Sequence, residues 1–322
     1  MQVLPTQHIV QNALRGNSTH GFIYLNNPKV GCSTIKSSLW TGVRGKPPGQ
    51  DQSVHVLEGS PFANTLPEPS VVAQAFVFTF VRNPYERLVS AYLDKVKHRS
   101  DNVWRGFATR RGLDPEAEVS FDRFVALIAS QPVEENDPHW RPQHLNTLYP
   151  FVIPNLLADL DSVDKLLPQV LARIFGASPP AVATRQSHAT TARATWRSFY
   201  DDGDTLALVE RVYENDFNAY GYKMDIQAEP VATALPRQSE HSHPGVARLA
   251  HYQRVEPAAQ FAALNELAAG DTAGVLRDWV LGQRLRRPKL HQTTLRGLLQ
   301  DNAMQIAASA YLRKVVAAKQ HA

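Results

Sequence analysis

Phe76-Val77-Phe78-Thr79-Phe80-Val81-Arg82-Asn83-Pro84-Tyr85-Glu86-Arg87-Leu88-Val89-Ser90-Ala91-Tyr92 changes its hydrophobic period halfway along. Residues 76–81 are almost continuously apolar and rich in β-favouring types, the pattern of a strand buried within a parallel sheet. From Tyr85 onward the apolar residues Tyr85, Leu88, Val89, Tyr92 and Val96 recur at helical spacing. Between the two patterns Asn83 can cap a helix, Pro84 suits its first position, and Glu86 falls at the third position of a capping box. The stretch reads strand, sharp corner, helix.

The same grammar occurs once before it. Phe22-Ile23-Tyr24-Leu25 runs into Asn26-Asn27-Pro28, and Ile35, Leu39 and Val43 then mark a helix stopped by Gly45 and Pro47-Pro48. Two such units predict an α/β fold, P-loop-like and doubly wound, with a mainly parallel central sheet flanked by helices. Lys46 to Ser70, rich in Pro, Gly and Ser, is predicted as a long loop, and loops of that length often carry function. Further helices are predicted near Phe121–Ser130, Ser162–Phe175 and Thr205–Phe217, with a short strand at Phe151–Ile153. Three regions follow: an α/β domain over 1–226, a Pro-containing linker over 227–245, and an Ala- and Leu-rich helical C-terminal appendage over 246–322.

The 322 residues are 43% hydrophobic and 20% charged, with a formal net charge of +4, an ordinary globular composition. So mild and scattered an excess of Lys and Arg excludes a dense nucleic-acid-binding stripe, yet suits a site for an anion. The single cysteine, Cys32, excludes an internal disulfide framework and a cysteine-rich zinc site, and it fits a reducing compartment. Met1 to Gly16 lacks the apolar run of a signal peptide, and no stretch approaches a membrane span. The expectation is a cytoplasmic protein without a transmembrane segment, touching membrane surfaces at most weakly through Arg284, Arg286, Arg287 and Lys289.

Each corner carries anion-binding chemistry. In Pro28-Lys29-Val30-Gly31-Cys32-Ser33-Thr34 a helix start presents unpaired backbone N–H groups, Gly31 allows close approach, Ser33 and Thr34 add hydroxyls, and Lys29 adds a full charge. The lysine precedes the glycine, so the Gly-Lys-Ser/Thr ending of a nucleoside-triphosphate loop and its Mg²⁺ arrangement are missing. This argues against a kinase, and no metal is expected. At the second corner Arg82 can meet a phosphate with a bidentate fork, and Ser90 shares a polar stripe with Arg87, Asp94 and Lys97.

At these residues the chain resembles the PAPS-dependent carbohydrate sulfotransferases, where PAPS is 3′-phosphoadenosine 5′-phosphosulfate. The resemblance is to the branch with the HNK-1 and chondroitin/dermatan sulfotransferases and, more distantly, heparan sulfate 2-O-sulfotransferase. The first corner is similar to the family's 5′-phosphosulfate loop, implying donor contacts from Lys29, Val30, Gly31, Cys32, Ser33 and Thr34. The second resembles its 3′-phosphate motif, with Arg82 and Ser90 matching the residues that hold that phosphate. His139-Trp140-Arg141-Pro142-Gln143 is similar to a His-Trp-x-Pro element of the branch, and Tyr213 to Tyr222 to its Tyr-x-x-Asp-Phe…Gly-Tyr close. Golgi members carry cysteines after the His-Trp-x-Pro element and a membrane anchor before the domain; Leu145 to Pro150 holds no cysteine, and Met1 to Gly16 does not read as an anchor.

The resemblance covers about Gly21 to Tyr222 and implies sulfuryl transfer from PAPS to a hydroxyl of a carbohydrate or glycoconjugate acceptor, leaving 3′,5′-ADP. Lys29 would neutralise charge on the departing phosphate. His55 is the first candidate for the base, in the loop where the heparan 2-O enzyme carries its catalytic histidine; His139 is the second, with Glu58 and His144 behind it. Arg185, Ser187, His188 and Thr190 fall where the family often reaches nucleotide or acceptor. His241-Ser242-His243 lacks converging acids and reads as a solvated stretch rather than a metal site. The competing reading of a different class is a catalytically silent nucleotide- or glycan-binding module acting through its helical tail.

Overall fold

The first decisive segment forms the strand β3, Phe76–Val81, buried from Val77 onward. In the computed structural model, which describes residues 7–49, 51–64, 75–149, 154–183 and 192–228, β3 is an inner strand. β2 (Phe22–Leu25) lies parallel to it on one side, with Phe22 opposite Phe76. β4 (Leu156–Asp159) lies parallel on the other, with Phe80 opposite Ala158. β1 (Leu14–Asn17), preceded by α1 (Gln7–Ala13), pairs antiparallel with β2.

The sheet is therefore mixed, and among the described residues its order runs β1-β2-β3-β4, without the mid-sheet reversal that the doubly wound expectation carries. Flanking helices on both faces of a mainly parallel sheet are as expected. Pleating sends Phe22, Tyr24, Phe78 and Phe80 to one side, where α2 (Cys32–Arg44) and α7 (Val163–Phe175) cover them with Ile35, Leu39, Trp40, Leu167 and Leu171. On the opposite face α3 (Pro84–Ala91), α5 (Phe121–Ala129) and α9 (Gly203–Tyr220) enclose Tyr85, Phe124, Trp140, Trp196, Tyr213 and Phe217. Shorter helices α4 (Val103–Arg110), α6 (Gln143–Asn146) and α8 (Ala192–Thr195) fill between them.

The helix ends follow local chemistry. Gly45 stops α2 in a left-handed turn at φ 70°, its N–H donating to the Thr41 carbonyl at 2.8 Å. The Asn83 side chain caps α3 by accepting from the Tyr85 N–H at 3.0 Å, with Pro84 in the first turn. Glu86 does not complete a capping box; it turns to Arg82 instead. Past Ala91 the helix widens into a π-helical turn, Tyr92–Lys97, a device that tends to occur beside functional sites.

Phe151–Ile153, the segment Arg185 to Thr190, the linker from residue 229 onward and the entire appendage lie outside the described residues. The described parts of the long loop hold no helix or strand beyond an isolated bridge between Gly16 and Ala63. Among the described residues no helix is long and apolar enough to cross a membrane.

Candidate functional site

The two corners touch. From the second, Arg87 sends Nε to the Pro28 carbonyl at 3.0 Å, and its two terminal nitrogens to the carbonyls of Arg141 and Pro138 at 2.8 Å each. Arg82 places Nη1 at 3.5 Å from the Lys29 carbonyl and Nε at 3.2 Å from Glu86. Coming back the other way, Lys29 Nζ donates to Asp94 at 2.8 Å across 65 residues of sequence. Ser90 sits between Arg87 and Asp94 at helical spacing and is buried, so this stripe faces the first corner rather than water. Lys97, the stripe's last member, is exposed.

The first corner has the backbone of an anion cradle. Lys29 and Gly31 both take left-handed conformations, φ 69° and φ 70°, and α2 begins on Gly31 with no side-chain cap. Its first-turn amides have no side-chain cap, and the positive end of the helix dipole lies behind them. Val30 turns its side chain into the core, while Cys32, Ser33 and Thr34 are partly exposed around the helix start. A Cβ on Gly31 would lie 3.2 Å from Leu160 Cδ1 in a backbone conformation L residues avoid. Gly31→Ala is expected to cost about 1–2 kcal/mol, read as a lowered thermal midpoint; an unchanged midpoint would mean the turn is not held left-handed.

Charge is concentrated here. Burial lowers the Lys29 ammonium pKa, and hydrogen bonding to Asp94 opposes the shift. The Asp94 carboxyl is held well below the usual range; burial works against this, but Lys29, Ser100 and Lys95 outweigh it. Lys95 reaches Asp94 at 3.1 Å and Asp101 at 2.5 Å.

The long loop brings His55 onto the start of α2. Its Nε2 lies 3.0 Å from Ser33 Oγ and its Nδ1 2.8 Å from Lys36 Nζ. Lys36 is buried on the inner face of α2 and has no carboxylate partner among the described residues; desolvation brings its pKa down to about 8. His55 is exposed as a residue, yet desolvation where its ring meets α2, then the charges of Lys36, His139, Lys95 and Arg15, push it down to about 3. His139 is among the groups whose charge acts on the ring. Its own Nδ1 is held at 2.6 Å by Asp137, and that carboxylate also accepts the His139 backbone N–H at 3.0 Å. Asp137 stays low despite burial, because His139 bonds it.

Residues 13–223 match the sequence profile described as the Sulfotransferase family. The chain belongs to that family. Among curated proteins it is similar to mouse carbohydrate sulfotransferase 8, at 27% identity over 237 residues covering 66% of this chain and 55% of that one. It is similar to rat carbohydrate sulfotransferase 11 at 26% identity, covering 64% and 65%, and to zebrafish carbohydrate sulfotransferase 14 at 28%, covering 42% and 40%. The chain spans about half the length of the carbohydrate sulfotransferase 8 proteins it matches. No solved structure matches it significantly.

Within this sulfotransferase domain Lys29, Ser33, His55, His139 and Arg82 all fall around the joined corners. The His144 ring Nδ1 and backbone N–H both meet the buried carboxylate of Asp216, tying α6 to α9. Glu58 is exposed on the loop. Arg82 and Glu86 form a pair that is largely buried. Sequence reasoning passed over Lys36 and Asp137, and it placed Arg87 and Asp94 on the polar stripe without giving them a role. Lys36 did leave a signal: it stands between Ile35 and the Leu39-Trp40 pair, a lysine among residues that must face the core. Among the described residues no three His, Cys, Asp or Glu side chains come together as a metal site.

Proposed function

We propose that this chain transfers the sulfuryl group of PAPS to a hydroxyl of a carbohydrate or glycoconjugate, releasing 3′,5′-ADP. The observation that carries the reading is the direct contact of the two corners through Arg82, Arg87 and the Lys29–Asp94 pair. It supports one site reached by a phosphate cradle from one side and an arginine from the other, as a nucleotide phosphorylated at both ends requires. The residues fit such a ligand: an uncapped helix start, a left-handed glycine, and a buried lysine without a carboxylate. The acceptor class is taken from the relatives, which are carbohydrate sulfotransferases.

In this reading the amides and hydroxyls of Gly31 to Thr34 hold the 5′-phosphate, and Arg82 and Ser90 hold the 3′-phosphate. Lys29 leaves Asp94 for the bridging oxygen as charge builds there, and Lys95 keeps Asp94 neutralised. Sulfuryl transfer asks for alignment and charge stabilisation, and a sulfuryl group carries less charge than a phosphoryl group, so no metal is invoked. His55 is the base we put first, and His139, backed by Asp137, the second. A P-loop-like classification of the corner, a separate C-terminal appendage and a reducing, cytoplasmic setting for Cys32 belong to the same proposal.

Calorimetry tests the donor site directly. The chain is expected to bind 3′,5′-ADP more tightly than 5′-AMP. In Arg82→Ala the preference should collapse, through a loss of about 1.5–3 kcal/mol for 3′,5′-ADP and little for 5′-AMP. Equal binding of both nucleotides by the parent chain would sink the assignment. Mass analysis after incubation with PAPS and an acceptor panel then reads the transfer.

A further inference from the structure

Lys36 is an ammonium buried to 2% exposure, without a carboxylate among the described residues, and such a charge is costly unless something anionic arrives. Its hydrogen-bond partner is the His55 ring, whose other nitrogen rests on Ser33. Both partners of that ring therefore stand within the first two turns of α2, at the helix start that forms the cradle. An ammonium only donates, so Nδ1 of His55 must accept from Lys36, and the ring proton sits on Nε2, donated to Ser33 Oγ. The lone pair a base would use is covered by Lys36.

We propose that Lys36 is a donor-operated switch on His55: parked on the ring in the free protein, it turns to the 5′-phosphosulfate when that anion seats at α2 and so uncovers Nδ1. The inference rests on the donor reading given above. Ser33 keeps the Nε2–H and holds the ring in place. The step then balances. The acceptor oxygen forms its bond to sulfur as the bond from sulfur to the 5′-phosphate oxygen breaks. The hydroxyl proton passes to His55 Nδ1, and 3′,5′-ADP leaves with the electron pair. Without donor the base is masked, which couples proton removal to the presence of the sulfuryl group. The charges that act on the ring are those of Lys36 from α2, His139 from the loop before α6, Lys95 from the π-helical turn and Arg15 from β1, of which Lys36 touches it; Arg15 and Cys32 also act on Lys36. Desolvation is the first cause of the lowered histidine pKa, and the Lys36 charge held against the ring comes next.

Ring-proton NMR titration of His55 in the full chain tests this without any turnover. In the free protein His55 is expected to stay neutral to about pH 5 or below, against an ordinary value of about 6.5. Saturating 3′,5′-ADP should raise its midpoint by about one unit or more, as Lys36 is drawn off and neutralised. Lys36→Met should produce a comparable rise without nucleotide, and nucleotide should then add less than half of the parent's shift. Lys36→Arg should keep the low midpoint. An unchanged midpoint in Lys36→Met, or equal nucleotide shifts in parent and variant, overturns the switch. If Lys36→Met does not fold, the parent alone decides: bound 3′,5′-ADP with no movement at His55 overturns it. Absence of 3′,5′-ADP binding by calorimetry would instead remove the donor reading and this inference together.

Discussion

Lys29→Ala is expected to lower turnover by about 10²–10³-fold, the usual loss when one preorganised group aimed at developing charge is removed. Binding of 3′,5′-ADP should weaken far less, because in the proposed mechanism the charge that Lys29 answers appears on the bridging oxygen only as the phosphate departs. The split between turnover and binding is the diagnostic result, read by single-turnover transfer from PAPS beside calorimetry with 3′,5′-ADP. Lys29→Arg should not restore the rate. The ammonium is a compact charge on a left-handed residue, buried to 10% side-chain exposure and held by Asp94, and a planar fork does not occupy that space. Substitution leaves Asp94 with Lys95 at 3.1 Å, so the carboxylate stays paired and the fold should persist. A Lys29→Ala protein turning over within tenfold of the parent would remove Lys29 from the chemistry.

Much of this arrangement could be read before any coordinates. β2 and β3 are written in continuous apolar runs, α2, α3, α5, α7 and α9 in helical periodicity, and the corners between them in residues whose conformations are locally determined: Gly31, Asn83 and Pro84. What could not be read depends on tertiary context. Leu14-Arg15-Gly16-Asn17 has no alternation, and Arg15 can be buried in β1 because carbonyls of Gln11, Asn12 and Leu14 receive its guanidinium. Leu156-Leu157-Ala158-Asp159 has helix-favouring composition and becomes a strand because β3 offers it an edge. The stripe Arg87, Ser90, Asp94 has the spacing of a solvated helix face; its burial follows from the Pro28 corner packing upon it. The roles within the site were blurred for the same reason. His55, His139 and His144 look alike in sequence, and Lys36, Asp137 and Asp216 distinguish them only once folded.

Arg87→Met is expected to destabilise the domain by about 2–6 kcal/mol, the scale for two buried carbonyls that lose their donor. The guanidinium is 1% exposed and spans three carbonyls, on Pro28, Pro138 and Arg141, from three N–H donors. Methionine matches much of its length and apolar volume but takes the Arg87 donors from the Pro28 and Arg141 carbonyls, each costing about 1–3 kcal/mol if nothing relaxes toward it, while Pro138 keeps the Asn146 amide at 2.9 Å. A lysine cannot rescue the site, since a single ammonium does not bridge three acceptors arranged for a planar fork. Thermal unfolding should show the midpoint falling by roughly 10 °C in a domain of this size. Pro28 precedes Lys29, and Pro138 and Arg141 flank His139 and Trp140, so the bonds of Arg87 set the first corner against the His139 loop. Binding of 3′,5′-ADP to the folded fraction of Arg87→Met, measured well below its midpoint, should therefore weaken as well. A variant that kept its midpoint within about 2 °C would mean that Arg87 does not join the corners. The proposal of one site between the corners would then need another support.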